Sequence, residues 1–166
     1  MKRIFVDTGA WYAVVDKKDP DHKQAELYLR QAITIFETTV GNQHPDIAIS
    51  LANLGSLFHN LKRFDDAEDC YKRALGIREK LQVNNVIDQS LLLELFGSLL
   101  LEKKQADLAE PIFKKAIDIL ESDENLHTHQ LKNLLGQYCG ILLQLGRDNE
   151  QVKSIKYKLE QLESKH

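Results

Sequence analysis

Residues 44–80 read HPDIAISLANLGSLFHNLKRFDDAEDCYKRALGIREK, and this stretch decides the fold class. Apolar residues recur at spacings of three and four, first over 45–61 and again over 64–82, which is the period of an amphipathic α-helix. The polar stretch 62–66 separates the two runs. Pro45 suits the first turn of a helix because that position needs no backbone N–H. The stretch therefore predicts two antiparallel helices joined by a short turn.

The pattern repeats along the chain every 42 residues, the interval from LGSL at 54–57 to FGSL at 96–99. The offset keeps small residues small and apolar residues apolar. A further step of 42 reaches the last hairpin, in which Gln151 and Lys158 replace two alanines of the second helix. Self-similarity at a fixed interval is the signature of a repeat architecture. The sequence therefore predicts an all-α chain of about four helical hairpins.

The predicted helices share the three-and-four spacing and end at Gly, Asn or charged breakers. They span about residues 9–17, 20–38, 45–61, 64–82, 87–103, 106–121, 127–145 and 148–164. We expect one domain over 1–166, with a first hairpin at 1–38 and further hairpins at 44–82, 87–121 and 127–164.

Side-chain size predicts how the helices pack. Gly55 and Ala67 are expected where the helices of one hairpin cross, and Ala74 where the next hairpin packs, because closely spaced helices need small residues there. The large side chains are expected to fill the spaces between hairpins. They are Phe58, Tyr71, Phe96, Phe113 and Tyr138.

Composition excludes several function classes. The chain has 166 residues, 43% hydrophobic and 28% charged, which is ordinary for a soluble globular domain. A net charge of −3 argues against nucleic-acid binding, which needs a basic surface. No apolar run approaches the roughly 20 residues of a membrane helix. Cys70 and Cys139 lack metal-ligand spacing and are interpreted as reduced, buried residues of a cytoplasmic protein.

Several residues resemble the tetratricopeptide repeat, and the longer unit is similar to its kinesin-light-chain type. The resemblance rests on Leu54-Gly55, Phe58, Ala67, Tyr71 and Ala74, on the start HPDIA at 44–48 and on YKRALGIREK at 71–80. It covers about residues 25–164. The resemblance implies a right-handed α-solenoid whose concave face, lined by the first helix of each hairpin, holds a peptide or a partner helix.

The predicted binding residues point away from the second helix of their hairpin. They are Ile49, Ala52, Asn53, Ser56, His59 and Asn60 in the second hairpin, Leu91, Glu94, Leu95, Ser98 and Glu102 in the third, and Asn133, Gln137 and Gln144 in the fourth. Kinesin-light-chain-like repeats carry an Asn at the position of Asn53, whose amide can both donate to and accept from a peptide backbone. The alternative for Asn53 is a hydrogen bond between helices, or simple solvation.

The predicted partner follows from charge. This face lacks the cluster of Lys and Arg that would grip a terminal carboxylate. An apolar or mildly basic helix or extended peptide fits Leu91, Leu95, Glu94 and Glu102 better. We expect no cofactor, no nucleic-acid partner and no membrane. Self-association is possible through the first hairpin, whose apolar residues are Trp11, Tyr12, Val14 and Val15.

A second resemblance competes at the N-terminus. Two segments look like the opening of a PIN-domain ribonuclease, the toxin of many toxin–antitoxin pairs. They are residues 4–13, IFVDTGAWYA, and the following Asp19-Pro20-Asp21-His22. That resemblance covers about residues 3–25 and implies that Asp7 helps to hold a divalent metal. Phosphoryl chemistry needs several converging carboxylates, and the rest of the nuclease pattern is missing. We therefore predict a protein-binding scaffold without enzymatic activity, with a nuclease or its inactive remnant as the alternative.

Overall fold

A computed structural model describes residues 22–81, 85–123, 128–147 and 149–163. These residues form seven helices and no strand. The helices are α1 (His22–Thr39), α2 (Pro45–Asn60), α3 (Phe64–Leu81), α4 (Val86–Glu102), α5 (Ala106–Glu121), α6 (Thr128–Gln144) and α7 (Asn149–Glu163). The all-α prediction is confirmed, and each predicted helix from 20–38 onwards matches an observed one to within two residues. The predicted helix 9–17 lies outside the described residues.

The chain divides into two compact units, residues 1–83 and 84–166. In the first unit α1 packs on α2, and α2 packs on α3. In the second unit α4 packs on α5, α5 on α6, and α6 on α7. We call α2, α4 and α6 the A helices and their hairpin partners α3, α5 and α7 the B helices. That the whole chain behaves as one domain stays a prediction.

Local sequence explains where α2 begins. Pro45 lies in its first turn as predicted, and His44 is the N-cap residue. The Nδ1 atom of His44 accepts a hydrogen bond of 3.3 Å from the backbone N–H of Asp46. The imidazole also stacks on Phe36 of α1, with ring centroids 6.2 Å apart. The cap therefore satisfies a helix-end donor and ties α2 to the preceding helix.

Each A helix ends in the same turn, and the turns are 42 residues apart. One residue in each turn adopts a left-handed conformation: Lys62 (φ 63°), Lys104 (φ 60°) and Gly146 (φ 62°). The next residue donates its backbone N–H to the carbonyl five residues earlier, in the pattern of a Schellman motif. These bonds are Arg63 to Phe58 (2.8 Å), Gln105 to Leu100 (2.8 Å) and Arg147 to Leu142 (2.9 Å). A break between helices was predicted at each of these three turns, whereas the left-handed conformation of Lys62 and Lys104 was not.

Glycine sets the helix crossing in the first two complete hairpins. A Cβ atom at Gly55 would lie 2.6 Å from Cε1 of Tyr71, and one at Gly97 would lie 2.5 Å from Cε2 of Phe113. Both rings are fully buried. The small residue at the crossing agrees with the prediction. Each ring packs against the glycine of its own hairpin, and that these rings fill the spaces between hairpins stays a prediction.

The alanines at the predicted contact positions of the B helices are buried, and that Ala74 lies where the next hairpin packs stays a prediction. Ala67 and Ala74 of α3 are fully buried, and so are the residues 42 positions later in α5. In α7 the corresponding Gln151 is exposed and Lys158 is half-buried, paired with Glu121 of α5. The last B helix is therefore held partly by an ion pair where the others use small apolar residues.

Ion pairs also tie α1 to α3 in the first unit. Arg63 donates to Glu26 at 2.9 Å and to Asp66 at 2.7 Å, and its guanidinium lies 4.2 Å from the ring centroid of Phe58. The hydrogen bond with Asp66 raises the pKa of Arg63 above its ordinary value. These contacts fix the turn that follows α2.

Candidate peptide-binding face

In the first unit the predicted binding residues form one stripe along α2, beside the buried stripe that packs on α3. Five of them are half-buried, namely Ile49, Ala52, Asn53, Ser56 and His59, and Asn60 at the end of the helix is exposed. The Asn53 amide has no hydrogen-bond partner among the described residues, so the alternative of a hydrogen bond between helices is not observed. Its donor and acceptor both remain available to a ligand.

Two predicted binding residues of α2 also take part in hairpin packing. The Ser56 hydroxyl lies 3.2 Å from the hydroxyl of Tyr71. The His59 ring meets Phe64 of α3 edge-on, with centroids 6.0 Å apart. These contacts place both side chains against the B helix of their own hairpin. A role in binding for Ser56 and His59 stays a prediction.

In the second unit the structure brings three predicted residues together. The Asn133 side chain donates from Nδ2 to Oε1 of Glu94 at 2.9 Å. Gln137 donates from Nε2 to the same oxygen at 2.7 Å. Leu91 and Leu95 are half-buried beside Glu94 on the same stripe of α4. We call this surface the α4–α6 face; it consists of Leu91, Glu94, Leu95, Asn133 and Gln137.

The remaining predicted residues of the second unit flank this face. Ser98 is half-buried on α4, while Glu102 and Gln144 are exposed near the ends of α4 and α6. Sequence reasoning missed Gln130, which donates from Nε2 to the hydroxyl of the buried Ser90 at 3.3 Å. The signal was present, because Gln130, Asn133 and Gln137 follow one another at spacings of three and four along α6.

Two glycines leave the backbone of α6 open beside Asn133 and Gln137. A Cβ atom at Gly136 or Gly140 would meet no other atom within 4 Å. The equivalent positions 42 residues earlier are Glu94 and Ser98. The second unit therefore has side chains at these positions on α4 and open space at them on α6.

The charged residues of α2 and α4 are acidic, whereas α6 carries one lysine and no carboxylate. α2 and α4 contain neither Lys nor Arg, and α6 contains only Lys132. On α4 the carboxylates are Asp88, Glu94 and Glu102. A face of this composition does not supply the charge-assisted donors that an acidic ligand needs.

Other chemistry-bearing residues do not form a reactive site in the part of the chain described. Both cysteines are buried and free. Burial raises the pKa of the Cys70 thiol to about 11, which keeps it protonated and unreactive near neutral pH. No three His, Cys, Asp or Glu side chains of the described residues converge to hold a metal ion. Asp7, the ligand implied by the nuclease resemblance, lies outside those residues.

The outer face of α1 is apolar and exposed. Leu27, Tyr28 and Ile35 are 48%, 47% and 58% exposed. The residues 42 positions after Tyr28 and Ile35, Cys70 and Ile77, are buried in α3. The residues of the first hairpin that were expected to support self-association, Trp11, Tyr12, Val14 and Val15, lie outside the described part of the chain. None of the described helices is long and apolar enough to cross a lipid bilayer.

Comparison with known proteins agrees with this architecture. A sequence model of the tetratricopeptide repeat matches residues 10–80. The structure is similar to the crystal structure of BtubC (BKLC) from P. vanneervenii, with a TM-score of 0.76 and 16% identity over 86% of this chain and 57% of that chain. This chain therefore spans little more than half the length of that protein. No curated protein sequence matches significantly.

Two further crystal structures, one of them of a single-substitution variant, show the nearly identical TPR-like repeats of a candidate kinesin light chain from Podosopora anserina. They match with TM-scores of 0.68 and 0.67 and 12% identity, over 87% of this chain and 68% of those chains. The predicted likeness to kinesin-light-chain repeats is confirmed at the level of fold. The nuclease resemblance of residues 3–25 gains no support, and the repeat match begins inside that segment. The described chain has the helical-hairpin fold of tetratricopeptide-like repeat proteins.

Proposed function

We propose that this chain is a scaffold that binds a peptide or a helix of another protein along the exposed stripes of its A helices. Tetratricopeptide repeats generally bind other proteins, and repeat folds use such extended faces for recognition. The observation that carries the proposal is the Asn53 amide, half-buried beside Ile49 and Ala52 with no partner among the described side chains. Leu95 offers an apolar contact on the α4–α6 face.

The chemistry of these faces favours an uncharged or basic ligand. An extended peptide can pair its backbone with the Asn53 amide, which donates and accepts at once. Half-buried Leu91 and Leu95 can take up an apolar side chain, since each loses further exposed surface on binding. The absence of Lys and Arg from α2 and α4 disfavours acidic tails.

A peptide-library pull-down on the full chain tests the proposal. We expect Asn53→Ala and Leu95→Ala to weaken binding of the retained peptides. Each has a matched control on a B helix: Gln151→Ala removes an exposed side-chain amide from α7, and Leu108→Ala removes an exposed leucine from α5. Thermal melting must show that all four variants are folded. Retention that is the same in all four and in the parent would refute the assignment of the A-helix stripes.

Self-association through the N-terminal hairpin stays a separate prediction. The exposed apolar face of α1 favours it, because large apolar side chains gain by being covered. Sedimentation velocity at several concentrations measures it directly. Tyr28→Ser combined with Ile35→Ser should lower the association of a self-associating chain, and a parent that remains monomeric at high concentration would contradict the prediction.

A further inference from the structure

The α4–α6 face holds one carboxylate in a fixed position. Oε1 of Glu94 accepts hydrogen bonds from Asn133 at 2.9 Å and from Gln137 at 2.7 Å. Two side chains from the neighbouring A helix thus orient the carboxylate of a half-buried glutamate. A carboxylate that is already oriented loses little conformational freedom when a ligand binds to it.

The same three side chains leave acceptors unused. Both amides are donors to Glu94, so their carbonyl oxygens, Oδ1 of Asn133 and Oε1 of Gln137, remain as acceptors. Neither these oxygens nor Oε2 of Glu94 receives a hydrogen bond from any described residue. The cluster therefore offers three acceptor oxygens and one negative charge, and it needs a ligand that supplies several N–H donors and a positive charge.

Charge and space around the cluster match such a ligand. α4 carries three carboxylates and no basic residue, and α6 carries Lys132 as its one Lys or Arg. Gly136 and Gly140 lie on the same side of α6 as Asn133 and Gln137, with nothing within 4 Å of a Cβ atom at either. A flat group can therefore approach the α6 backbone closely beside the carboxylate.

We propose that the α4–α6 face binds the guanidinium group of an arginine side chain in an extended peptide, with Glu94 as its counter-ion and Asn133 and Gln137 as additional acceptors. Arginine fits better than lysine because its planar fork presents five N–H donors in a fixed geometry. Leu91 and Leu95, one turn apart on α4, flank the carboxylate and contact the aliphatic stem or a neighbouring apolar residue. This inference rests on the proposed function, because it names the ligand that the A-helix stripes select.

The test uses the full chain and a synthetic library of acetylated, amidated hexapeptides in which one position is fixed as arginine, lysine or citrulline. Citrulline keeps the shape of arginine but has no charge, so it isolates the contribution of Glu94. Three variants are compared with the parent: Glu94→Gln, Gly136→Leu and the control Glu160→Gln. The control removes one carboxylate from an exposed position on α7. Gly136→Leu fills the open space beside the cluster and improves helix propensity, so it tests access without loss of stability.

We expect arginine peptides to be enriched over lysine peptides, and both over citrulline peptides. Glu94→Gln should weaken the best arginine peptide roughly 10- to 100-fold, as expected for loss of a charge-assisted hydrogen bond, while leaving its citrulline analogue unaffected. Gly136→Leu should weaken it as well without lowering the melting temperature, and Glu160→Gln should change nothing.

Two results would overturn the inference, and they are distinguishable. Peptides that bind equally well with arginine and citrulline, or that respond equally to Glu94→Gln and Glu160→Gln, would refute the arginine site while the scaffold function stands. A library from which no peptide is retained would refute the proposed function and the arginine site together.

Discussion

Gly55→Ala tests the packing of the first complete hairpin. A Cβ atom at this position would lie 2.6 Å from Cε1 and 2.8 Å from Cδ1 of Tyr71. Non-bonded carbon atoms pack at about 3.5–4.0 Å, so the ring would have to move by about 1 Å. The ring is fully buried, and its hydroxyl lies 3.2 Å from Oγ of Ser56. It therefore cannot move without disturbing the hairpin.

Two opposing effects set the size of the change. Overpacking of a tightly packed core costs about 1–3 kcal/mol, whereas alanine is better than glycine in a helix by about 0.8–1 kcal/mol. The expected net loss for Gly55→Ala is about 1 kcal/mol. Gly76→Ala in α3 is the matched control, because a Cβ atom there meets nothing within 4 Å. It should gain up to about 1 kcal/mol, so the two variants should differ in sign.

Urea denaturation followed by far-UV circular dichroism measures both changes. Both glycines lie in the first unit, so both variants report on the same part of the chain. The slope of the transition must stay the same, so that a shifted midpoint reports stability alone. A Gly55→Ala variant as stable as Gly76→Ala would refute the argument that the Tyr71 ring is fixed against the glycine. Gly97→Ala should repeat the loss in the second unit, where the ring is 2.5 Å away.

Three further predictions concern the turns, a buried thiol and an ion-pair network. Lys104→Gly should raise the free energy of unfolding by about 1 kcal/mol, because a left-handed conformation costs a residue with a Cβ atom about 1–2 kcal/mol. Gly146→Ala at the equivalent turn should lower the free energy of unfolding. Urea denaturation that shows a change of the same sign for both variants would contradict this. Cys70, whose pKa burial raises to about 11, should react with iodoacetamide at pH 8 far more slowly in the native chain than in urea, and peptide mass spectrometry would contradict this by finding equal rates. Because the folded pKa lies above the ordinary value of 9.0, the contribution of this thiol to stability is complete below pH 9 and is lost as the pH rises towards 11. Arg63→Ala should lower the free energy of unfolding by about 1 kcal/mol, because it removes two ion pairs and a contact with an aromatic ring. This loss should be smaller in high salt, which screens the ion pairs. A thermal midpoint equal to that of the parent would contradict the prediction.

The sequence predicted the helices well because their determinants are local and repeated. Spacings of three and four fixed the helix bounds, and the 42-residue interval fixed which residues are equivalent. The turns were harder, because only Gly146 carries the residue type that favours a left-handed conformation. Lys62 and Lys104 adopt the same conformation although lysine does not favour it, and the backbone hydrogen bonds from Arg63 to Phe58 and from Gln105 to Leu100 close both turns.

The binding face was predicted only as a set of positions. Glu94 of α4 and Asn133 and Gln137 of α6 occupy similar positions in the repeat, so their inclusion in the binding face could be predicted. Their hydrogen bonds could not, because these depend on how far apart α4 and α6 lie and on which rotamers reach across. The contact of Tyr71 and Phe113 with the glycine of their own hairpin was not predicted, for a related reason. A ring on a helix face can turn towards either neighbour, and the space above a glycine decides which one.

The glycines of this chain separate the requirements of folding from those of binding. Gly55 and Gly97 are required by packing, because an aromatic ring occupies the space that a Cβ atom would need. Gly136 and Gly140 meet no such neighbour, yet each weakens α6 by about 0.5–1 kcal/mol relative to alanine. In the described part of the second unit, no close packing contact at these two glycines offsets that loss of stability. If α6 is open in order to admit the backbone or guanidinium of a ligand, then Gly136→Ala combined with Gly140→Ala should raise stability and lower peptide affinity together. If peptide affinity rises together with stability, the open surface of α6 does not serve to admit a ligand.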